Sequence, residues 1–301
     1  MHSNGQTSPH RASRGQRMTD TLRIAVPNKG RLEGPSTELL KQGGFRFERT
    51  ERSLTVPIRD APIELLFVRA KDVGELVADG VADLGITGVD LTRETDAPVD
   101  TVSDLGFGRC RLIAAVPDHS AVSSLSELDG MSIATSHPNT VRRFFEDKGL
   151  SITTVPLNGS VEVAPKLGIA DAVVDLVSSG STMLVNGLRP IETILESQAI
   201  LIEPANIERT STATRVVTML DAAMAALNRR YVVMNAPSAT IPAIEEIIPG
   251  IEAPTVVPLT HDGMVAIHSV VESSDVWHIL PRLKEAGASG ILVLPIQQVI
   301  A

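Results

Sequence analysis

Asp171-Ala-Val-Val-Asp-Leu-Val-Ser-Ser-Gly-Ser-Thr182 decides the fold. It opens as an apolar strand and closes as a loop of small hydroxyl residues that hands over to a helix. Alternation along the strand puts the acidic residues Asp171 and Asp175 on one face. A carboxylate at a strand end can accept hydrogen bonds from the vicinal hydroxyls of a ribose. The following loop, Ser178, Ser179, Gly180, Ser181 and Thr182, offers successive N–H groups and hydroxyls to a phosphate, beside a helix N-terminus. Gly180 permits close backbone approach. The same residues also fit a plain strand followed by an N-capped helix, with Asp171 as a turn residue.

Outward from this unit the chain repeats it. Leu22 to Val26 reads as a buried strand, ended by the turn cluster Pro27-Asn-Lys-Gly30, and a helix runs through Leu39 and Leu40 to Gly43. Ile63 to Val68 is a strand, Lys71 to Ala78 a helix, and Asp83 to Thr87 a strand closed by Gly88. Arg111 to Val116 and Met131 to Thr135 are strands. A helix opens at Ser136-His-Pro-Asn-Thr140 and ends at Lys148. Ile152 to Leu157 reads as a strand and Val161 to Leu167 as a helix. Leu188 to Glu203 gives two strands split near Ser197-Gln198. Strand–helix alternation predicts mostly parallel α/β sheets. We expect two lobes, with the chain crossing between them twice and a ligand cleft enclosed. The boundaries drawn are residues 21–109 plus 190–211 for the first lobe and 110–189 for the second.

Thr212 to Arg230 has helical periodicity and reads as a linker helix, residues 212–230. Beyond it, residues 231–301, the order is strand, helix, strand, strand, helix, strand, with His261-Asp-Gly263 as the hairpin turn. That is a ferredoxin-like βαββαβ unit. Trp277, in its last helix, reads as a packing residue.

Composition narrows the function. Apolar residues make up 43 % of the 301, enough for several cores. Aromatics at 3 % argue against base-stacking platforms, and a net charge of −9 disfavours nucleic-acid partners. The lone Cys110 excludes an internal disulfide. It reads as a small core residue, with a reactive thiol as the alternative. Residues 1–20 are polar, with Arg11, Arg14 and Arg17 but no apolar run. They read as a disordered extension without a secretory signal, and Met18 is a second candidate start. No apolar run approaches the roughly 18 residues of a membrane span. These features predict a soluble cytoplasmic protein.

The run Ser160-Val-Glu-Val-Ala-Pro-Lys-Leu-Gly-Ile-Ala-Asp-Ala-Val-Val-Asp-Leu-Val-Ser-Ser-Gly-Ser-Thr-Met183, continued by Asn186-Gly-Leu188, closely resembles the signature of ATP phosphoribosyltransferases. The resemblance extends from about Leu22 to Pro295. It takes in Pro27-Asn-Lys-Gly-Arg-Leu32, Asp83-Leu-Gly-Ile-Thr-Gly88 and Gly287-Ala-Ser-Gly-Ile-Leu-Val-Leu-Pro295. The closing βαββαβ unit marks the long form of that family. The resemblance implies two periplasmic-binding-protein-like α/β lobes forming a catalytic cleft, plus an ACT-like regulatory domain. It implies condensation of ATP with phosphoribosyl pyrophosphate, the first step of histidine biosynthesis, with magnesium (Mg2+) as cofactor. Phosphoribosyl pyrophosphate would lie on Ser178, Ser179, Gly180, Ser181 and Thr182. Glu162 and Asp175 would face its ribose and magnesium, with Asp171 beside them. Lys29, Arg31, Arg69, Lys71 and His137 would serve ATP, Lys29 and Arg31 also the chemistry. Asn235, Ile251, Thr255 and Gly290 would bind histidine as inhibitor, in a homo-hexamer that is active as dimers.

Read without the resemblance, Lys29, Arg31, Arg69 and Lys71 are strand-end cations that either meet ligands or are simply solvated. Arg109 and Arg111 are open in the same way, and Arg142-Arg143 reads as a solvated helix face. Ile251 and Thr255 could merely pack a small sheet. The rival functions are a two-lobed solute-binding module without catalysis and a ligand-sensing regulator with inert lobes. The first usually needs an export signal, and neither needs the Asp-to-Thr phosphate loop. A DNA-binding regulator lacks a basic recognition helix.

Overall fold

The computed structural model describes residues 21–50, 53–178, 181–250 and 253–300. The expected disordered extension, residues 1–20, lies outside them. The first lobe is built from β1 (Leu22–Pro27), α1 (Glu33–Gln42), β2 (Thr55–Pro57), β3 (Ile63–Val68), α2 (Val73–Ala78), β4 (Leu84–Gly88), α3 (Val89–Thr95) and β5 (Val99–Asp104). The chain then crosses to a second lobe of β6 (Cys110–Pro117), β7 (Ser132–Thr135), α4 (Pro138–Asp147), β8 (Thr153–Pro156), β9 (Ala172–Val177), α5 (Ser181–Val185) and β10 (Leu188–Ser197). It returns through β11 (Ala199–Pro204) and α6 (Ser211–Leu227).

The first sheet has the order β2-β3-β1-β4-β11-β5. Its centre, β3-β1-β4, is parallel, while β2 and β11 run antiparallel to their neighbours. Beyond Arg23, which pairs with Glu64 on β3 at 3.1 Å, β1 is apolar because both its faces are covered. Ile24 and Val26 pack with Leu39 and Leu40 of α1, and Ala25 packs with Val73 and Val77 of α2. The second sheet, β10-β6-β9-β7-β8, is parallel only across β9-β7-β8. β6 runs antiparallel to both β9 and β10. Mostly parallel sheets were expected. Apart from the short edge strand β2, the antiparallel pairings are made by strands that flank the two crossings, where the chain leaves one lobe and joins the other.

The return crossing lies at Gln198. Residues 190–197, placed in the first lobe by the sequence reading, belong to β10 and pair with β6 of the second. The split near Ser197-Gln198 is therefore the passage between lobes. Val161 to Leu167 is no helix either. A 3-10 turn over Val161–Val163 gives way to irregular turns, because Pro165 has no N–H to continue a ladder. α6 does more than link. Val216, Val217, Leu220 and Ala223 are buried against the α1 side of the first lobe. It ends at Leu227, and Arg229 and Arg230 already start the next strand.

The third unit comprises β12 (Arg229–Pro237), α7 (Ile241–Ile247), β13 (Thr255–Pro258), β14 (Met264–Glu272), α8 (Val276–Glu285) and β15 (Ser289–Pro295). Its antiparallel order β13-β14-β12-β15 is the ferredoxin-like one. Val232, Met234 and Ile267 face the helices, packing with Ile244, Ile279 and Leu283. Trp277 does not pack: it is 82 % exposed on α8.

Candidate active site

The carboxyl ends of β1, β3 and β4 lie along one edge of the first sheet, and those of β7 and β9 along one edge of the second. Ligands of open α/β sheets bind at such ends. Between the lobes lies a cavity of about 620 Å³, lined by Arg109, Cys110, Arg111, Glu196 and Ser197 at the two crossings and by Ser178 after β9, among others. Arg109 and Arg111, left open by the sequence, thus border the cleft. Cys110 is buried, and burial pushes its thiol above the ordinary value. That is the core-residue reading rather than the reactive-thiol one.

Asp175 sits half-buried near the carboxyl end of β9, and its carboxyl is held above the ordinary carboxylate value. Burial is the main cause. The Leu176 N–H, donating to Asp175 Oδ1 at 2.8 Å, works against it, and the negative Glu162 adds to the rise. Glu162 itself stands half-buried on the 3-10 turn. Ser160 enters that turn at φ 52°, in the left-handed region. The two carboxylates are therefore neighbours. Val173 and Val177, on the same side of β9 as Asp175, pack against Val161 and so hold the turn in place.

Asp171 is elsewhere. Alternation does put it on Asp175's face, but four residues at about 3.3 Å each separate them by roughly 13 Å. It stands at the opposite end of β9, where its Oδ2 accepts from Ser132 N at 2.8 Å and Ser132 Oγ at 2.6 Å. Those two bonds hold its carboxyl below the ordinary value. It is the turn residue of the alternative reading, not a member of the site. Ser178 is exposed at the cleft. Ser179 and Gly180, and the side chains of Ser181 and Thr182, lie outside the described residues.

On the first lobe, Lys29 and Arg31 follow β1, and Arg69 and Lys71 follow β3, its neighbour in the sheet. All four are exposed at adjacent strand ends. Gly30, at φ 81°, makes the turn that brings the chain from β1 into α1, its carbonyl accepting from Glu33 N. Arg31 is fixed. Its Nη2 donates to Asp90 Oδ1 at 2.7 Å and its Nε to the Gly108 carbonyl at 3.3 Å. Gly88 makes room for this pair, since a Cβ there would stand 2.3 Å from Asp90 Oδ1.

His137 does not present an open face to adenine. It is 4 % exposed, with Nε2 3.4 Å from Asp90 Oδ2 and Nδ1 2.9 Å from Ser136 Oγ. Arg143, read as part of a solvated face, reaches the other lobe, lying 3.3 Å from Asp96 and donating to the Arg93 carbonyl. Sequence reasoning missed this whole seam. Glu94 of α3 accepts from Asn139 N at 3.0 Å, Thr140 N at 2.8 Å and Thr140 Oγ1 at 2.9 Å. A side chain of one lobe thereby caps helix α4 of the other, in the role usually played by a residue of the helix's own N-terminus. The available signal was positional: α3 and α4 both start at carboxyl ends of central strands.

In the third unit Asn235, Thr255 and Gly290 are exposed on the sheet face turned away from the helices. Asn235 adjoins Gly290, whose Cβ would lie 3.6 Å from Asn235 Nδ2. Thr255 pairs with His268 on β14, two strands from β15. Ile251 lies outside the described residues.

Two α/β lobes around a charged cleft, followed by a ferredoxin-like unit, define a two-lobed α/β protein with a separate small C-terminal domain. Comparison with known proteins makes this particular. Residues 69–223 match the family described as ATP phosphoribosyltransferase, and residues 226–298 match the HisG C-terminal domain. The ATP phosphoribosyltransferase of Cytophaga hutchinsonii is 40 % identical over 94 % of this chain and 100 % of its own length. That of Gemmatimonas aurantiaca is 42 % identical over 93 % and 99 %. The solved ATP phosphoribosyl transferase (HisG:HisZ) complex from Thermotoga maritima includes a chain that matches at TM-score 0.58 and 29 % identity, covering 67 % of this chain and 99 % of that one. The chain belongs to the ATP phosphoribosyltransferase family.

Proposed function

We propose that the chain joins N1 of ATP to C1 of phosphoribosyl pyrophosphate with release of pyrophosphate, as the first step of histidine biosynthesis in the cytoplasm. What supports the reading is the neighbouring half-buried carboxylates Asp175 and Glu162 on the second lobe together with the exposed cations Lys29, Arg31, Arg69 and Lys71 after adjacent strands of the first. A solute-binding module would not need two neighbouring acids beside a hydroxyl-rich loop.

The bond that forms is from adenine N1, using its own lone pair, to the ribose C1, and the bond that breaks is from C1 to the pyrophosphate oxygen. No protein nucleophile is required. The residues supply positioning and charge complementarity. Asp175 accepts from the ribose hydroxyls, the 178–182 loop holds the 5′-phosphate, and the cations hold the polyphosphates. Among the described residues no cluster of three or more His, Cys, Asp or Glu side chains could hold a metal. Two adjacent acids do suit magnesium, which keeps one or two carboxylates and takes its remaining ligands from substrate oxygens and water. Asp175 and Glu162 would hold it. When bound, it would offset the charge that develops on the departing pyrophosphate.

Histidine, on this reading, binds the third unit near Asn235, Thr255 and Gly290 and lowers activity, in a hexamer that is active as dimers. The test is direct. The full chain is mixed with ATP, phosphoribosyl pyrophosphate and magnesium, with and without histidine, and pyrophosphate and the ribosylated nucleotide are measured. Both products should appear together in equal amount. Tight ligand binding without either product would overturn the assignment.

A further inference from the structure

Asp90 is fully buried at 0 % exposure, and the reaction as drawn does not use it. A buried carboxylate is costly unless its oxygens are satisfied. Here Oδ1 accepts twice, from Arg31 Nη2 at 2.7 Å and from Ser197 Oγ at 2.5 Å, and the Asp90 amide donates back to Ser197 Oγ at 3.1 Å. Oδ2 has no hydrogen-bond partner, and neither has His137 Nε2, yet the two face each other at 3.4 Å. A tautomer in which Ser136 Oγ donates to Nδ1 carries its ring proton on Nε2, the nitrogen 3.4 Å from Asp90 Oδ2. Asp90 therefore touches three separate pieces: the segment after β1, the return crossing, and the head of α4 in the second lobe. The contact to α4 is short of closure by a few tenths of an ångström.

A carboxylate kept only for stability would be replaceable by an apolar residue of similar volume. What Asp90 does that an apolar residue could not is aim a guanidinium. We propose that Asp90 is a positioning residue for Arg31, holding its guanidinium at the cleft for the ATP phosphates, and that His137 completes this hold when the lobes close. The inference rests on the proposed function, in which Arg31 meets ATP.

The test is steady-state kinetics on the full chain with ATP varied at saturating phosphoribosyl pyrophosphate. Wild-type turnover is measured first; its absence would sink the functional reading and this inference together. Given turnover, Asp90→Asn keeps the volume and removes the charge. It should raise KM for ATP about tenfold, the worth of one charge-assisted hydrogen bond, with kcat changed far less. KM for phosphoribosyl pyrophosphate should stay put. In an Arg31→Ala background the same substitution should add less than about twofold, because a residue acting through Arg31 has nothing left to aim. Should Asp90→Asn fail to fold, Ser197→Ala, which removes one bond to Oδ1, serves in its place with a smaller rise and the same dependence on Arg31. An unchanged KM for ATP, or effects that multiply independently with Arg31→Ala, would overturn the proposal while leaving the assigned reaction intact.

Discussion

Glu94→Ala tests the seam between the lobes. The carboxylate satisfies the amides of Asn139 and Thr140 and the Thr140 hydroxyl, and the Glu94 carbonyl accepts from Asn139 Nδ2 at 3.2 Å. His137, the N-cap residue of α4, makes no side-chain cap of its own. Loss of a cap costs about 1 kcal/mol. Loss of a negative charge at a helix N-terminus costs roughly 0.3–1 kcal/mol more. The exposed Arg143–Asp96 pair on the same seam adds little, with surface pairs worth about 0–1 kcal/mol. The total, about 1.5–2 kcal/mol, corresponds to roughly a 10- to 30-fold rise in local opening. Hydrogen exchange of the peptide carrying residues 139 and 140 reads that quantity directly. Tryptophan fluorescence would not, since Trp277 is in the third unit. Glu94→Gln keeps an acceptor and loses the charge, so about a threefold rise is expected. Amides of β14, far from the seam, serve as the reference. Exchange unchanged within about twofold in Glu94→Ala would refute the view that the first lobe caps α4.

Asp175→Asn should lower kcat by about 10²-fold or more, as expected for loss of an electrostatic contact in the transition state. It should also stabilise the fold at pH 7. Burial penalises the Asp175 carboxylate, so its folded pKa lies above the unfolded one, and the gain should vanish below the ordinary carboxylate pKa, where both states are neutral; urea unfolding at the two pH values checks the sign. Asp171→Ala should leave turnover within about threefold while costing about 1 kcal/mol of stability for its Ser132 bonds. Asp171 is held below its ordinary value, so that contribution should be present above the ordinary carboxylate pKa and fade as pH falls through the lowered one. Leu220→Ala should destabilise the first lobe by about 2–5 kcal/mol, seen by calorimetry, because α6 is part of that core rather than a tether.

The strands that were legible are those covered on both faces. Ile24–Pro27 and Ala172–Val174 are continuous apolar runs because each is packed on both of its faces. β5, Val-Asp-Thr-Val-Ser-Asp, was not legible: it is an edge strand with no buried residue, so its sequence carries no apolar period. β2 is three residues long, and α3 is a seven-residue helix ending in a left-handed Asp96. Strand direction was hidden as well. β6 has the same apolar look as β9, yet runs antiparallel to it, and only the position of the crossings decides that.

The site divides along the same line. Asp175 and the strand-end cations were readable because each lies at the end of an apolar run, and the family signature marks the run. Asp90 was not. In Gly88-Val-Asp-Leu-Thr-Arg-Glu-Thr95 it looks like an ordinary acid in the first turn of a helix, which on local grounds faces solvent. What buries it is Ser197, 107 residues away, delivered by the return crossing, together with His137 from the other lobe. Parity failed for Asp171 in a related way: alternation gives the face of a strand but not the distance along it, and a cleft only a few residues deep accepts one end of β9. Both cases follow from a site assembled at strand ends by two crossings. The residues proposed to contact ligand carry local signals, whereas those that hold them are defined by which segments the crossings bring together.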